Sequence, residues 1–345
     1  MSEIIQTRRN DIRRQLLATA SAFALFAVCG AQNAQAEDGA DTPLVWIELG
    51  GQFDAVNDGH SIYDVPSALS PPPTFEVRAP DNLQHGPRLG WDSDASLTLD
   101  LPDSGWVLSG AIHYGRALRS RIDHQQPKPT FYTPTYHYAV VRAFYQVSAR
   151  TLSTHLITDF KAGRDVGLGM FGFAGTSVLS LGVRYADFDS STDTMQSSVP
   201  NLGGGRIFQA TLHMRHAFTG LGPSLSWDES ARVFGHPEAG SVWLDWGANA
   251  AILFGKQSTT GSHRTGGYIT SHVYHTSPIA RQHTRSVPNV GGYASVSYRL
   301  HDVKISLGYR ADLFFGAIDG GIDTVKSYDR GFYGPFAKIS VGIGG

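Results

Sequence analysis

Cysteine is nearly missing from this chain. Its 345 residues include one, Cys29. That residue falls in an N-terminal segment with the marks of an export signal. The chain beyond it has no disulfide and no thiol chemistry, so packing and backbone pairing must hold it together. Long hydrophobic runs are missing as well. Past residue 36 nothing approaches the roughly 20 apolar residues that a spanning helix needs. Charge of one sign is also scarce, since the formal net charge is −2. Nothing here matches the basic footprint of a nucleic-acid binder. Two catalytic signatures are absent too. No segment reads Gly-x-Ser-x-Gly, and the glycine run Gly203–Gly205 has no Lys-Ser/Thr after it, which rules out a phosphate-binding P-loop.

The segment 1–36 reads as a cleavable signal peptide. Arg8, Arg9, Arg13 and Arg14 make a basic start, Leu16 to Cys29 an apolar stretch, and Ala34-Gln35-Ala36 a small-x-small cleavage site. Subtracting these four arginines, with Glu3 and Asp11, from 28 basic and 30 acidic residues leaves 24 and 28 for residues 37–345. One domain is expected there.

Strict alternation is abundant. In Gly292–Phe315, Ala294, Val296, Tyr298 and Leu300 share one face, opposite Ser295, Ser297 and Arg299. After His301-Asp302 the apolar face resumes at Val303, Ile305, Leu307 and Tyr309, opposite Lys304, Ser306, Arg310 and Asp312. Side chains on a strand alternate with period two, so this is an amphipathic hairpin with a two-residue turn. Each strand has the length a tilted strand needs to cross a bilayer. Similar patterns occur at 44–55, 88–101, 106–116, 176–188, 207–215, 241–254 and 332–343. The region 137–163 reads as either one strand or two. Short connections at 102–105 and 301–302 alternate with long ones at 56–87, 117–135, 255–288 and 316–330.

These features predict an all-β fold: a transmembrane antiparallel up-and-down β-barrel of roughly 10–12 strands, with short periplasmic turns and long external loops. A secreted β-sandwich would alternate in the same way. The strand lengths, the alternating loop lengths and a set of girdle aromatics (Trp46, Trp106, Tyr114, Trp227, Trp246, Tyr298, Tyr309) favour the barrel.

Several segments resemble the Legionella-type major outer membrane protein family: Gly86–Gly90, Gly220–Asp228, Ala251–Gly255 and Arg330–Pro335. The resemblance implies an outer-membrane location in a Gram-negative cell and a pore role.

The polar faces carry the functional expectation. Arg142, Arg184, Arg215, Asp245, Arg299, Lys304, Arg310, Asp312 and Lys338 would line the lumen, because charges facing lipid are costly. The leading expectation is a porin-like barrel for passive diffusion of small polar solutes. A mild anion preference follows from the excess of basic residues in that set. The alternative is a structural or adhesive barrel whose charges tie the lumen shut; a barrel hydrolase stands third, with His213 more suited to a wet interior than to a base. No catalytic residue, cofactor or metal is expected. His263, His272, His275 and His283 read as part of a solvated loop. The expected partners are outer-membrane lipid, the barrel-assembly machinery and small polar solutes, with no nucleic acid.

Overall fold

The computed structural model describes residues 44–57, 88–101, 104–117, 120–125, 144–167, 175–198, 208–236, 239–267, 273–319 and 327–344. Eleven strands follow in chain order. They are β1 (Val45–Asn57), β2 (Arg88–Leu101), β3 (Trp106–Ala117), β4 (Ser120–Gln125), β5 (Phe144–Asp165) and β6 (Gly175–Ser198). The rest are β7 (Phe208–His236), β8 (Gly240–Gly267), β9 (Val273–Leu300), β10 (Val303–Asp319) and β11 (Ser327–Ile343).

Apart from β3 and β4, which do not pair with each other, each strand pairs antiparallel with its sequence neighbours, and β1 also pairs with β11. β3 and β4 share one position in the sheet: β3 pairs with Thr154–Arg164 of β5, and β4 with Gln146–Thr151. The sheet therefore closes on itself with ten positions around it, within the expected range. Closure removes the unpaired edges that lipid would not tolerate.

The hairpin at residues 301–302 has the expected register, with Leu300 opposite Val303 and Leu307 opposite Val296. His301 takes a φ of 53°, the positive value that the first position of a primed hairpin turn requires. The turns that follow β2, β7 and β9 lie at one end of the barrel, together with Val45 and Ile343, which pair with each other.

Four strands are far longer than a bilayer crossing needs. β7 has 29 residues, and β8 and β9 have 28 each; β6 has 24. The 255–288 segment, expected as a loop, is mostly strand, and so is the start of the 189–205 segment. Gly, Ser and Thr dominate the β6 and β8 extensions, so these show little apolar alternation. Ladder hydrogen bonds to neighbouring strands hold them extended instead. The region 144–165 is one strand, and β7 runs unbroken from Phe208 to His236.

The outer surface carries an apolar belt. Leu181, Leu221, Phe160, Phe254, Ile305 and Leu307 are each about half to two-thirds exposed, and all point outward. Near the short-turn end the outward aromatics include Trp106, Trp227 and Tyr298, and Trp227 packs 5.0 Å from Trp246. Trp46, expected in this girdle, instead faces the lumen beside Arg299. Its parity matches Glu48 and Gln52, which places it opposite Val45 and Ile47.

Above the belt the two faces exchange character. Along β7, Ser224 and Ser226 point inward while Leu221 and Leu225 point outward. Farther along the same strand Leu212, Met214 and Phe218 are the inward residues, and His213 and Arg215 face out. Parity is unbroken; what changes is the solvent outside the barrel.

Candidate functional site

Inside the belt the barrel is charged. Arg184 on β6 grips Asp159 on β5 with two bonds: Nε donates to Oδ1 at 2.7 Å and Nη2 to Oδ2 at 2.9 Å. Its Nη1 donates to Asn249 of β8 at 2.8 Å and to Asn289 of β9, and lies 3.6 Å from Asp312 of β10. A forked guanidinium suits such planar, bidentate work. Arg310 on β10 reaches across to β2, where Nη2 donates to Asp92 at 3.0 Å. Its Nη1 donates to His113 Nδ1 at 3.0 Å, which leaves the imidazole proton on Nε2. Lys304 donates to Asp245 at 2.9 Å, and Asp245 also accepts from Ser230 and Ser297. Lys338 sits 3.0 Å from Asp94 and 3.9 Å from Glu48. Arg299 lies at the short-turn mouth, its guanidinium 4.8 Å from the Trp46 ring.

Seven of the nine expected lumen residues thus face inward: Arg184, Asp245, Arg299, Lys304, Arg310, Asp312 and Lys338. Arg142 lies outside the described residues. Arg215 is a correction. It stands on the outer face above the belt, paired with Asp189, and those hydrogen bonds hold its guanidinium above its ordinary range. His213 is also outside, 2.5 Å from the exposed Asp193. Both were assigned inward on the premise that apolar residues always face out, which holds only where lipid surrounds the barrel.

The sequence reading missed most of the acids. Glu48, Asp54, Asp92, Asp94, Asp159 and Asp228 join Asp245 and Asp312 on inward positions, against two added cations, Lys161 and Arg232, among the described residues below the aromatic layer. Carboxylates therefore exceed cations in the lumen, which overturns the premise of an anion preference. Their signal was present: Glu48, Gln52 and Asp54 share one parity, as do Asp92, Asp94 and Ser96.

Toward the short-turn end these charges border a cavity of about 540 Å³. Leu44, Leu101 and Trp106 lie at its outer rim, and Asp159, Arg184, Arg310 and Asp312 at its inner end. Beyond them the interior turns apolar. Phe188, Phe218, Phe314 and Phe332 are all nearly or fully buried. The Phe188 ring lies 4.8 Å from Phe314, 5.6 Å from Phe332 and 5.9 Å from Phe218. Val56, Ala117, Ile157, Leu253 and Val287 also belong to the cluster, with Ala186, Ala251, Ala317 and Ile318. Nine of the eleven strands contribute to it, so the layer spans the barrel from wall to wall.

A compact group of donors sits directly beneath this layer. Asp92 of β2 pairs with Gly115 of β3, and Gly115 with His155 of β5. The missing side chain matters: a Cβ on Gly115 would lie 2.2 Å from His155 Cε1 and 2.5 Å from its Nε2. The glycine lets His155 lean across one strand until Nε2 is 3.2 Å from Asp92 Oδ2 and 3.9 Å from Asp54 Oδ2. Phe332 covers the imidazole, with ring centroids 3.9 Å apart.

No family model matches this chain, and no curated protein matches it. Among solved structures it is similar to the translocator domain of the autotransporter NalP from Neisseria meningitidis, at 10% identity over 96% of this chain and 95% of that one, with a TM-score of 0.29. It is also similar to the β domain of the Bordetella autotransporter BrkA, at 8% identity over 87% and 99%, with a TM-score of 0.24. A third likeness is to the Pseudomonas putida toluene transporter TodX, at 9% identity over 88% and 89%, with a TM-score of 0.24. TM-scores this low carry no argument about function. What the chain's own geometry establishes is a closed antiparallel barrel, charged within and apolar around its girth.

Proposed function

We propose that this chain is a Gram-negative outer-membrane β-barrel that forms a narrow channel for small polar solutes, closed at rest by its aromatic layer. The observation that carries the reading is a lipid-suited outer belt around a charged lumen that ends, under four phenylalanines, in a cavity of about 540 Å³. A water-filled cavity explains why so many charges are retained inside, and an apolar constriction is a known means of gating by dewetting. Ten positions around the sheet make a barrel wider than the eight-stranded kind that side chains just fill, yet far narrower than a 16-stranded porin. The short turns lie on the periplasmic side, so the vestibule opens there. The resemblance to the Legionella-type major outer membrane proteins is in keeping with this role.

Planar-bilayer recording tests it. The wild-type barrel should show rare, brief openings. The double variant Phe188→Ala, Phe332→Ala should show frequent or sustained conductance steps, provided it keeps the heat-modifiable gel mobility of a folded barrel. Steady conductance in the wild type would sink the gating role of the rings. A silent double variant would favour the second reading, a structural barrel, which the ion pairs across the lumen support.

A further inference from the structure

We infer that Asp54, Asp92 and His155 form a binding site for a single divalent transition-metal ion of the zinc type, set inside the barrel just under the aromatic layer. The donor atoms of the three residues lie within 4.8 Å of one another. Asp54 is fully buried, and His155 and Asp92 are 1% and 3% exposed. Neither carboxylate oxygen of Asp54 has a hydrogen-bond partner, and neither does Asp92 Oδ1. Leaving buried carboxylate oxygens without partners is costly, so buried charges are normally paired or placed on a metal. The neighbouring Asp92 Oδ2 is held at 3.0 Å by Arg310, which leaves Oδ1 unengaged.

The spacing suits coordination. Zinc bonds of about 2.0–2.2 Å at tetrahedral angles place ligand atoms roughly 3–4 Å apart. His155 Nε2 lies 3.9 Å from Asp54 Oδ2 and 3.2 Å from Asp92 Oδ2, the oxygen Arg310 also holds, so the Asp92 carboxylate can turn its unengaged Oδ1 to the ion while Oδ2 keeps the guanidinium. Two carboxylates and a neutral imidazole would balance a divalent charge. The imidazole selects a zinc-like ion over magnesium or calcium, which prefer all-oxygen sites. Gln52, the register partner of Asp92, offers a fourth donor, since its buried Oε1 is also without a partner. Gly115 and Phe332 fix the imidazole from the side and from above. The site does not depend on whether the aromatic layer opens, because it lies on the cavity's side of that layer: Arg310, which holds Asp92, lines the cavity.

The test uses the full-length, untagged barrel, folded in detergent and stripped with EDTA. Calorimetric titration with Zn²⁺ should show one saturable site, unaffected by a large excess of Mg²⁺. His155→Ala and Asp54→Asn should each weaken it at least tenfold, whereas His213→Ala, on the exposed outer pair, should leave it unchanged. His155→Gln serves if the alanine variant loses heat-modifiable mobility. The absence of a saturable Zn²⁺ site in the wild type, or an undiminished site in a folded His155 variant, would overturn the inference; either result would mean that His155 merely hydrogen-bonds Asp92. Zn²⁺ binding without conductance would leave this site standing while the channel reading fell.

Discussion

Leu307 and Ser306 are adjacent in the chain yet face different solvents. Leu307 is 62% exposed on the outer belt, while Ser306 is buried in the lumen opposite Lys338. Leu307→Arg would place a charge against lipid and should cost about 2–4 kcal/mol near the midplane. Ser306→Arg should leave the fold intact and alter conductance in an opened barrel. Urea titration of folded protein in vesicles distinguishes them; equal stability for the two variants would reverse the facing assigned to β10. Arg184 and Arg215 form a second contrast. Arg184 is buried among Asp159, Asn249 and Asn289, so Arg184→Ala strands a buried carboxylate and should cost about 3–5 kcal/mol. Arg215 is partly exposed to water outside the belt, and Arg215→Ala should cost no more than about 1 kcal/mol. The same unfolding measurement checks both.

At the scale of the element, β7 shows how far alternation can be read. Its outward face runs from Leu225 and Leu221 in the belt to Arg215 and His213 above it, and its inward face from Ser226 and Ser224 to Phe218 and Met214. The period was legible at 207–215, because it depends only on backbone geometry. Which face was inside was not, because that depends on what surrounds the barrel at each height. In β9 and β10 the apolar face meets lipid along the whole hairpin, so Val303, Ile305 and Leu307 were read with the correct facing. In β8 the Gly/Ser/Thr-rich extension showed no preferred face at all, and its strand character comes from pairing with β7 and β9.

The whole molecule brings three kinds of environment into one barrel: a polar vestibule, an apolar septum and an extension with a buried interior. Charge in the vestibule leans acidic, with Glu48, Asp159 and Asp228 among its walls. Once Phe188 and Phe332 are cut back to alanine, reversal potentials in a KCl gradient should therefore show cation selectivity. Anion selectivity there would mean that acids outside the permeation path had been counted as lining it. None of this was accessible strand by strand. Arg310 and Asp92 are 218 positions apart, and barrel closure alone makes them neighbours.

The sequence by itself determined the belt-crossing part of most strands, its parity and the hairpin at His301-Asp302, because alternation and turn chemistry are local. It also carried the barrel, since no other arrangement satisfies the backbone of long amphipathic strands in lipid. Tertiary structure decided the rest. Closing the sheet set Asp54, Asp92 and His155 side by side through a gap left by Gly115, matched Lys304, Arg310 and Lys338 with carboxylates of strands that are not their neighbours, and brought four phenylalanines together across the interior. Those contacts lie between strands remote in sequence, and one strand's pattern carries no information about what stands across the barrel from it.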